Sequence, residues 1–144
     1  MKKKLTIVLF CLSSMMFFAP AADAQSKKEE IKEEIFSFVD TVPEFVGGRE
    51  ALIQFLTTNM EFPSKATKKG VKKGKVYVEF VVKKDGNIVN AKISKTSDEV
   101  FNKEAIRLVE LMPTWNPGHL NGKSVNTRTM LPIKFGYDSV LDAK

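Results

Sequence analysis

Cysteine and histidine are almost absent from this chain of 144 residues, which has one of each. The cysteine, Cys11, lies in an apolar N-terminal run, so the rest of the chain has no thiol for a disulfide or a metal site. His119 is the only histidine, and no second histidine or cysteine accompanies it as a metal ligand. We therefore expect no metal and no cofactor, and a domain held together by an ordinary packed core.

Motifs of catalysis are also lacking. The sequence has no glycine-rich phosphate loop and no nucleophile elbow. Three polar residues have simpler interpretations than catalysis: Asp85 suits a turn, Glu79 lies on the polar face of a predicted strand, and His119 follows Pro-Gly in a predicted surface turn. The sequence predicts a binding module and not an enzyme.

No apolar run is long enough to span a bilayer comfortably, since a transmembrane helix takes about 20 residues. The main run, from Leu5 to Phe18, follows Lys2-Lys3-Lys4 and precedes Ala22-Asp23-Ala24. This order of basic, apolar and small residues is typical of a secretory signal peptide. We predict a signal peptide at residues 1–24, cleaved after Ala24, and an uncleaved anchor is the alternative.

Positive charge is in excess, with 23 Lys and Arg against 17 Asp and Glu. Such patches bind nucleic acids or anionic surfaces, but an exported protein does not meet nucleic acid, and we expect none as a partner. We interpret the densest cluster as a solvated turn; the alternative is a site for an anionic polymer such as peptidoglycan, or for an acidic segment of a partner. The cluster consists of Lys65, Lys68, Lys69, Lys72, Lys73 and Lys75.

The residues after the predicted cleavage site form a polar tether, assigned to 25–42. Ser26–Glu34 is almost entirely polar and predicts a tether or a frayed helix that buries little. Pro43 favours extended backbone before it, and Gly47-Gly48 then interrupts the chain. Apolar residues at helical spacing predict a helix from Arg49 to about Asn59.

A β-hairpin is the strongest local signal. Asp85-Gly86 lies between two runs of alternating residues and predicts a two-residue type I′ turn. One face of each run is apolar and the other mostly polar, as in an antiparallel sheet covered on a single side. The apolar positions are Val76, Val78, Phe80 and Val82, then Val89, Ala91 and Ile93.

A helix that covers this sheet is predicted to begin at Thr96 or Ser97 and to end before Pro113. Trp115–Gly118 and Asn121-Gly122 are predicted turns. The apolar stripe of the helix consists of Phe101, Ala105, Leu108 and Met112.

A final strand completes the predicted sheet and ends at Phe135. Pro132 lies near its end, and proline is tolerated on an edge strand because it has no N–H to donate. We therefore expect one side of this strand to be open. The predicted fold class is α+β, with two layers: a three-stranded antiparallel sheet (hairpin, helix, strand) packed against helices.

In this order the elements resemble the C-terminal domain of TonB, the periplasmic protein that transmits inner-membrane energy to outer-membrane transporters. The lead-in over residues 43–56 is similar to that of TonB-like proteins of the Bacteroidetes group. We assign the domain to residues 43–137 and a tail to 138–144. The matching segments are Phe62-Pro63 with Ala66 and Gly70, Gly74–Val82, Asp85–Ile88, Ser94–Ser97, Phe101–Ala105, Trp115–Gly118, Asn121–Val125 and Leu131–Phe135.

The resemblance implies a periplasmic module that binds the TonB box, a short peptide of an outer-membrane transporter, as a strand added beside the last strand. Strand addition uses backbone groups, which explains why no distinctive side-chain motif is present. The implied partner-binding residues are Ser124, Val125, Asn126, Thr127, Arg128, Thr129 and Met130 on the last strand, with Asn59, Met60 and Glu61 before the Phe-Pro pair.

A full TonB has an N-terminal transmembrane helix and a proline-rich spacer, and the sequence predicts neither. Peptide binding without energy transduction is therefore the expectation. The sequence leaves open an envelope scaffold, a homodimer in which two edge strands pair, a cell-wall-binding domain, and an inhibitor or sensor domain for an envelope enzyme.

Overall fold

The computed structural model describes residues 33–138, 140 and 141. The predicted signal peptide and residues 25–32 of the predicted tether lie outside these residues. Within them, none of the helices has the length and apolar content of a bilayer span. The elements are β1 (Ile35–Phe36), α1 (Gly48–Asn59), α2 (Ser64–Lys68), β2 (Gly74–Val82), β3 (Ile88–Thr96), a 3₁₀ helix (Glu99–Phe101), α3 (Asn102–Glu110), β4 (Gly118–Leu120) and β5 (Lys123–Phe135).

The sheet is mixed and has the strand order β1-β5-β2-β3, with β4 paired to the start of β5. β2 and β5 are antiparallel in an unbroken register, from Gly74 opposite Phe135 to Val82 opposite Thr127. β2 and β3 form the predicted hairpin. The α+β prediction is confirmed, and the sheet gains two short strands, the parallel β1 and the antiparallel β4.

The core lies between the sheet and α1, α2 and α3. The predicted inward residues of β2 are fully buried, as are three of the four residues in the predicted helix stripe. Phe101 stacks on Phe135 with 4.8 Å between ring centroids. Each such side chain contributes about 1.5–3 kcal/mol by leaving water.

Gly74 allows Phe101 to pack directly on the backbone of β2. A Cβ at this position would overlap the Phe101 ring. We expect Gly74→Ala to lower the free energy of unfolding by about 1–3 kcal/mol, because the ring must leave its preferred rotamer. Denaturant unfolding measures this loss. The double variant with Phe101→Leu should lose less than the sum of the two single variants; strict additivity would contradict the contact.

The turn of the first hairpin differs from the prediction. Val82 pairs with Ile88, so the loop has five residues, Lys83–Asn87, in place of a two-residue type I′ turn. The Asp85 carboxylate accepts a hydrogen bond from the Asn87 N–H (3.0 Å), which closes a local side-chain turn. Within this loop only Gly86 has positive φ (87°). Its carbonyl accepts a hydrogen bond from the backbone N–H of Trp115 at 2.8 Å. The contact with Trp115 fixes this loop, and it is not visible in the local sequence.

The two-residue turn occurs in the second hairpin. Asn121 and Gly122 both have positive φ, 51° and 76°, between the paired residues Leu120 and Lys123. Two positive φ values in a two-residue loop are the signature of a type I′ turn. The turn predicted at Asn121-Gly122 is therefore confirmed.

Three further predictions are corrected. The helix begins neither at Thr96 nor at Ser97, because the Asp98 carboxylate accepts from the Val100 N–H and caps a 3₁₀ turn that leads into α3.

Trp115–Gly118 is extended and not a turn, since Asn116 bridges to Glu44 and Gly118 starts β4. Part of the lysine-rich turn is helical, as α2. The helix predicted from Arg49 is confirmed as α1.

Candidate partner-binding site

Thr127 shows which neighbours flank β5. It lies opposite Val82 of β2 and also opposite Phe36 of β1. A residue has only two sides within the plane of a sheet, so β1 and β2 lie on opposite sides of β5. The side away from β2 is called the outer edge below.

The outer edge is covered at both ends and open between them. β1 pairs with Asn126 and Thr127, and the Lys134 N–H donates to the Val140 carbonyl at 2.9 Å. In the part of the chain that the structure describes, no strand pairs with the outer edge at positions 129–133. The predicted open side of the last strand is thus reduced to this stretch.

Backbone groups of Met130 point out of this open stretch. The bond from Lys134 to Val140 shows that Lys134 faces away from β2, and alternate residues of an unbroken antiparallel ladder face the same way. Met130 therefore presents its N–H and C=O outward, and Pro132 presents only a C=O. Arg128 also faces outward, next to the parallel pairing of Phe36 with Thr127. Pro132 costs the β2–β5 ladder nothing, because its missing N–H lies on the open side.

The residues in the first half of the predicted strand site already have partners within the chain. Ser124 and Val125 lie opposite His119 and Gly118 of β4. Asn126 is buried, and its Oδ1 accepts from the Lys84 N–H at 2.9 Å. Thr127 is also buried, and its hydroxyl donates to the Val125 carbonyl. The role of these residues in binding stays a prediction.

The second half of the predicted strand site borders a cleft of about 680 Å³. Met130 is 49% exposed. Arg128 Nη1 lies 3.8 Å from Glu79 Oε1 on the solvent face of the sheet. Thr129 and Trp115 line the cleft, and within the described residues Thr129 Oγ1 and Trp115 Nε1 are buried without hydrogen-bond partners. Opposite β5 the cleft is lined by residues 37–49, including the exposed side chains of Phe38 and Val42.

The other predicted contact, Asn59–Glu61, follows α1 and is held by an ion pair on α3. The Glu104 carboxylate accepts from the Glu61 N–H at 2.8 Å. The Arg107 guanidinium donates to the Asn59 carbonyl at 2.7 Å and makes two bonds of 2.7 and 2.6 Å to Glu104. Met60 is half-buried against the core. The ion pair thus fixes the backbone on both sides of Met60.

Glu104 stays ionised in this setting. Burial alone would raise the pKa of Glu104, but the hydrogen bonds from Arg107 and the Glu61 N–H, together with the charge of Arg107, hold it below its ordinary value. The hydrogen bonds to Glu104 in turn raise the pKa of Arg107 above its ordinary value. A charged carboxylate that accepts three hydrogen bonds is a strong clamp for a loop.

The two predicted groups border different clefts. Glu61 lines a second cleft of about 550 Å³ with Phe62, Lys103 and Arg107, and no residue lines both clefts. Sequence reasoning missed Glu104 and Arg107, although opposite charges three apart on a predicted helix were a visible signal. It also missed β1 as an occupant of the outer edge.

The remaining polar candidate, His119, differs in position from its prediction. His119 lies in β4 and not in a surface turn; its backbone bonds to Thr41, and its Nε2 lies 3.2 Å from Ser124 Oγ. Among residues 33–138, 140 and 141, no three His, Cys, Asp or Glu side chains form a metal-binding cluster. Five of the six lysines in the densest cluster are exposed, and Lys75 is half-buried. Lys73 Nζ lies 5.0 Å from the centre of the Tyr137 ring.

In comparison with known families, residues 58–137 match the family described as Gram-negative bacterial TonB protein C-terminal. The chain belongs to the TonB C-terminal domain family. Domains of this family are non-enzymatic protein-interaction domains of the periplasm, and they interact with outer-membrane transporters. Comparison with curated proteins gave no significant match.

Membership places the TonB C-terminal domain of this chain in TonB-type envelope transport. The matched residues include α2, the hairpin, α3 and all of β5. They also include Asn59–Glu61 and the outer edge of β5. Nearly all of α1 lies before the matched range, and so does β1, which pairs with part of that edge.

Proposed function

We propose that the protein is a periplasmic, non-enzymatic module that binds an extended, TonB-box-like peptide of an outer-membrane transporter by strand addition to β5. The observation that carries this proposal is the open outer edge around Met130, where backbone groups face outward without a strand partner among the described residues. Main-chain bonds supply affinity in this mode, and alternate side chains choose the partner.

The surroundings of the edge suit such a peptide. An extended chain beside Met130 places every second side chain toward one face. On one face these side chains meet the cleft with Trp115, Phe38 and Val42, and on the other they meet the charged surface around Arg128 and Glu79. The ordered loop at Asn59–Glu61 offers a second contact, as the family resemblance implies.

Titration of the isotope-labelled chain with a TonB-box peptide tests the proposal. We expect the amide signals of residues within Ser124–Met130 to shift, with Met130 among the largest. A peptide of the same composition with alternate residues replaced by proline is the matched control, because it lacks the N–H groups that pair with the edge. Shifts confined to the lysines between positions 65 and 75 would favour an anionic-polymer site over strand addition.

A further inference from the structure

A short segment of the chain already lies where a peptide is proposed to add. Ile35 and Phe36 pair in parallel with Asn126 and Thr127, inside the predicted Ser124–Met130 site and on its outer side. A peptide that covers the whole site meets this strand before it reaches Asn126. The question is whether β1 is a fixed part of the sheet or a displaceable occupant.

Within the described residues, the backbone pairing of β1 covers two residues, and the side-chain interactions that support it are weak. Asn126 Nδ2 donates to Glu33 Oε2 and to the Glu34 carbonyl, each at 3.3 Å, the long end of the range for such bonds. Lys83 Nζ lies 3.2 Å from Glu33 Oε2, and both side chains are partly exposed. Exposed ion pairs contribute little to stability. Ile35 is 39% exposed and Phe36 is half-buried, and neither belongs to the hydrophobic core of the described residues.

These observations contrast with the β2–β5 ladder, which pairs nine residues of β2 in unbroken register and encloses the core. A two-residue strand on an edge opens at small cost, because the free energy of local opening is low where a segment makes few contacts with the core. Opening of β1 frees the outward groups of Asn126 and Arg128 and extends the open edge toward Ser124.

We propose that residues 33–36 act as an internal competitor for the peptide site on β5. This inference rests on the proposed function and adds its regulation: the peptide and β1 exclude each other over Asn126 and Thr127. The apparent affinity of the chain is then the intrinsic affinity reduced by the fraction of molecules in which β1 is released.

Asn126→Asp is the most direct test in the full chain. It keeps Oδ1 as the acceptor for the Lys84 N–H but replaces the Nδ2 donor with a carboxylate oxygen that repels Glu33 and the Glu34 carbonyl. We expect the TonB-box peptide to bind roughly tenfold more tightly, as expected from the loss of two weak bonds. Calorimetric titration measures the change.

Two further variants keep the test decisive. Phe36→Pro weakens the pairing by a change in β1 and leaves the sequence of β5 unaltered. We expect a similar gain in affinity for the peptide. Asn90→Asp makes the same chemical change at an exposed position of β3, remote from β1 in strand order, and should leave the affinity unchanged. Circular dichroism confirms that each variant is folded.

The outcomes separate the inference from the proposed function. Tighter binding in Asn126→Asp and Phe36→Pro, with no change in Asn90→Asp, supports the competitor. Unchanged or weaker binding in both variants overturns it while peptide binding itself stands. Absence of binding in every variant and in the unaltered chain overturns the proposed function as well.

Discussion

Met130→Pro is expected to reduce the affinity for a TonB-box peptide by at least about tenfold while leaving the domain folded. The substitution removes the N–H that faces out of the open stretch between β1 and Val140. Each backbone hydrogen bond contributes about 0.5–1.5 kcal/mol net, and the proline ring adds a steric barrier to the incoming strand. Calorimetric titration with the peptide measures the loss.

The fold should tolerate this proline because β5 already contains one in the same orientation. Pro132 lies opposite Tyr77 in the unbroken register of β2 and β5, two residues beyond Met130. Thr129→Pro is the contrasting variant, since the Thr129 N–H faces β2; its loss removes a ladder hydrogen bond and should lower the free energy of unfolding by about 1–3 kcal/mol. Met130→Leu controls for the side chain and should bind as the unaltered chain does. Full affinity in Met130→Pro would contradict strand addition at this edge.

Glu104→Ala is expected to lower the free energy of unfolding by about 1–3 kcal/mol and to loosen the loop at Asn59–Glu61. It leaves the Glu61 N–H and the Arg107 guanidinium without their acceptor. Removing one partner of a buried pair costs more than the pair contributes, but Arg107 is 40% exposed and regains water, which limits the loss. Thermal unfolding gives the stability, and amide hydrogen exchange at Glu61 reports the loop. Glu110→Ala, an exposed change on the same helix, is the control; an equal effect would contradict the clamp.

The same ion pair predicts a pH dependence with a definite sign. The folded pKa of Glu104 lies below its ordinary value of 4.5. Its contribution to stability is therefore fully present above about pH 4.5 and is lost as the pH falls through the lower folded value. The stability difference between the unaltered chain and Glu104→Gln should shrink over that acid range. A difference that stays constant through the acid range would assign the loss to packing.

Much of the fold follows from local patterns. The inward positions of β2 and the stripe on α3 were predictable because burial follows the period of a strand or a helix over many residues. β1 has only two residues, which are too few to show such a period, so the sequence did not predict this strand. Its pairing with Asn126 joins positions about ninety residues apart.

The two hairpin loops show that the local sequence alone does not determine the length of a turn. Asp-Gly and Asn-Gly carry the same preference, yet only Asn121-Gly122 forms the two-residue turn. In the longer first loop the Gly86 carbonyl accepts from the backbone N–H of Trp115, a contact between segments distant in sequence. Likewise the Glu104–Arg107 spacing was visible, but its attachment to Asn59 and Glu61 depends on how α3 packs beside the end of α1. Pro132 made it predictable that one side of β5 is open. The length of the open stretch was not predictable, because it is limited by β1 and by Val140.

Amide hydrogen exchange of Met130 tests the central claim most directly. In the free chain we expect this N–H to exchange fast, because it faces outward from β5, whereas the N–H of Thr129 is protected by β2. Saturation with a TonB-box peptide should slow exchange at Met130 and leave Thr129 unchanged. Binding that leaves Met130 exchange as fast as in the free chain would show that the peptide docks elsewhere, and strand addition to β5 would be wrong.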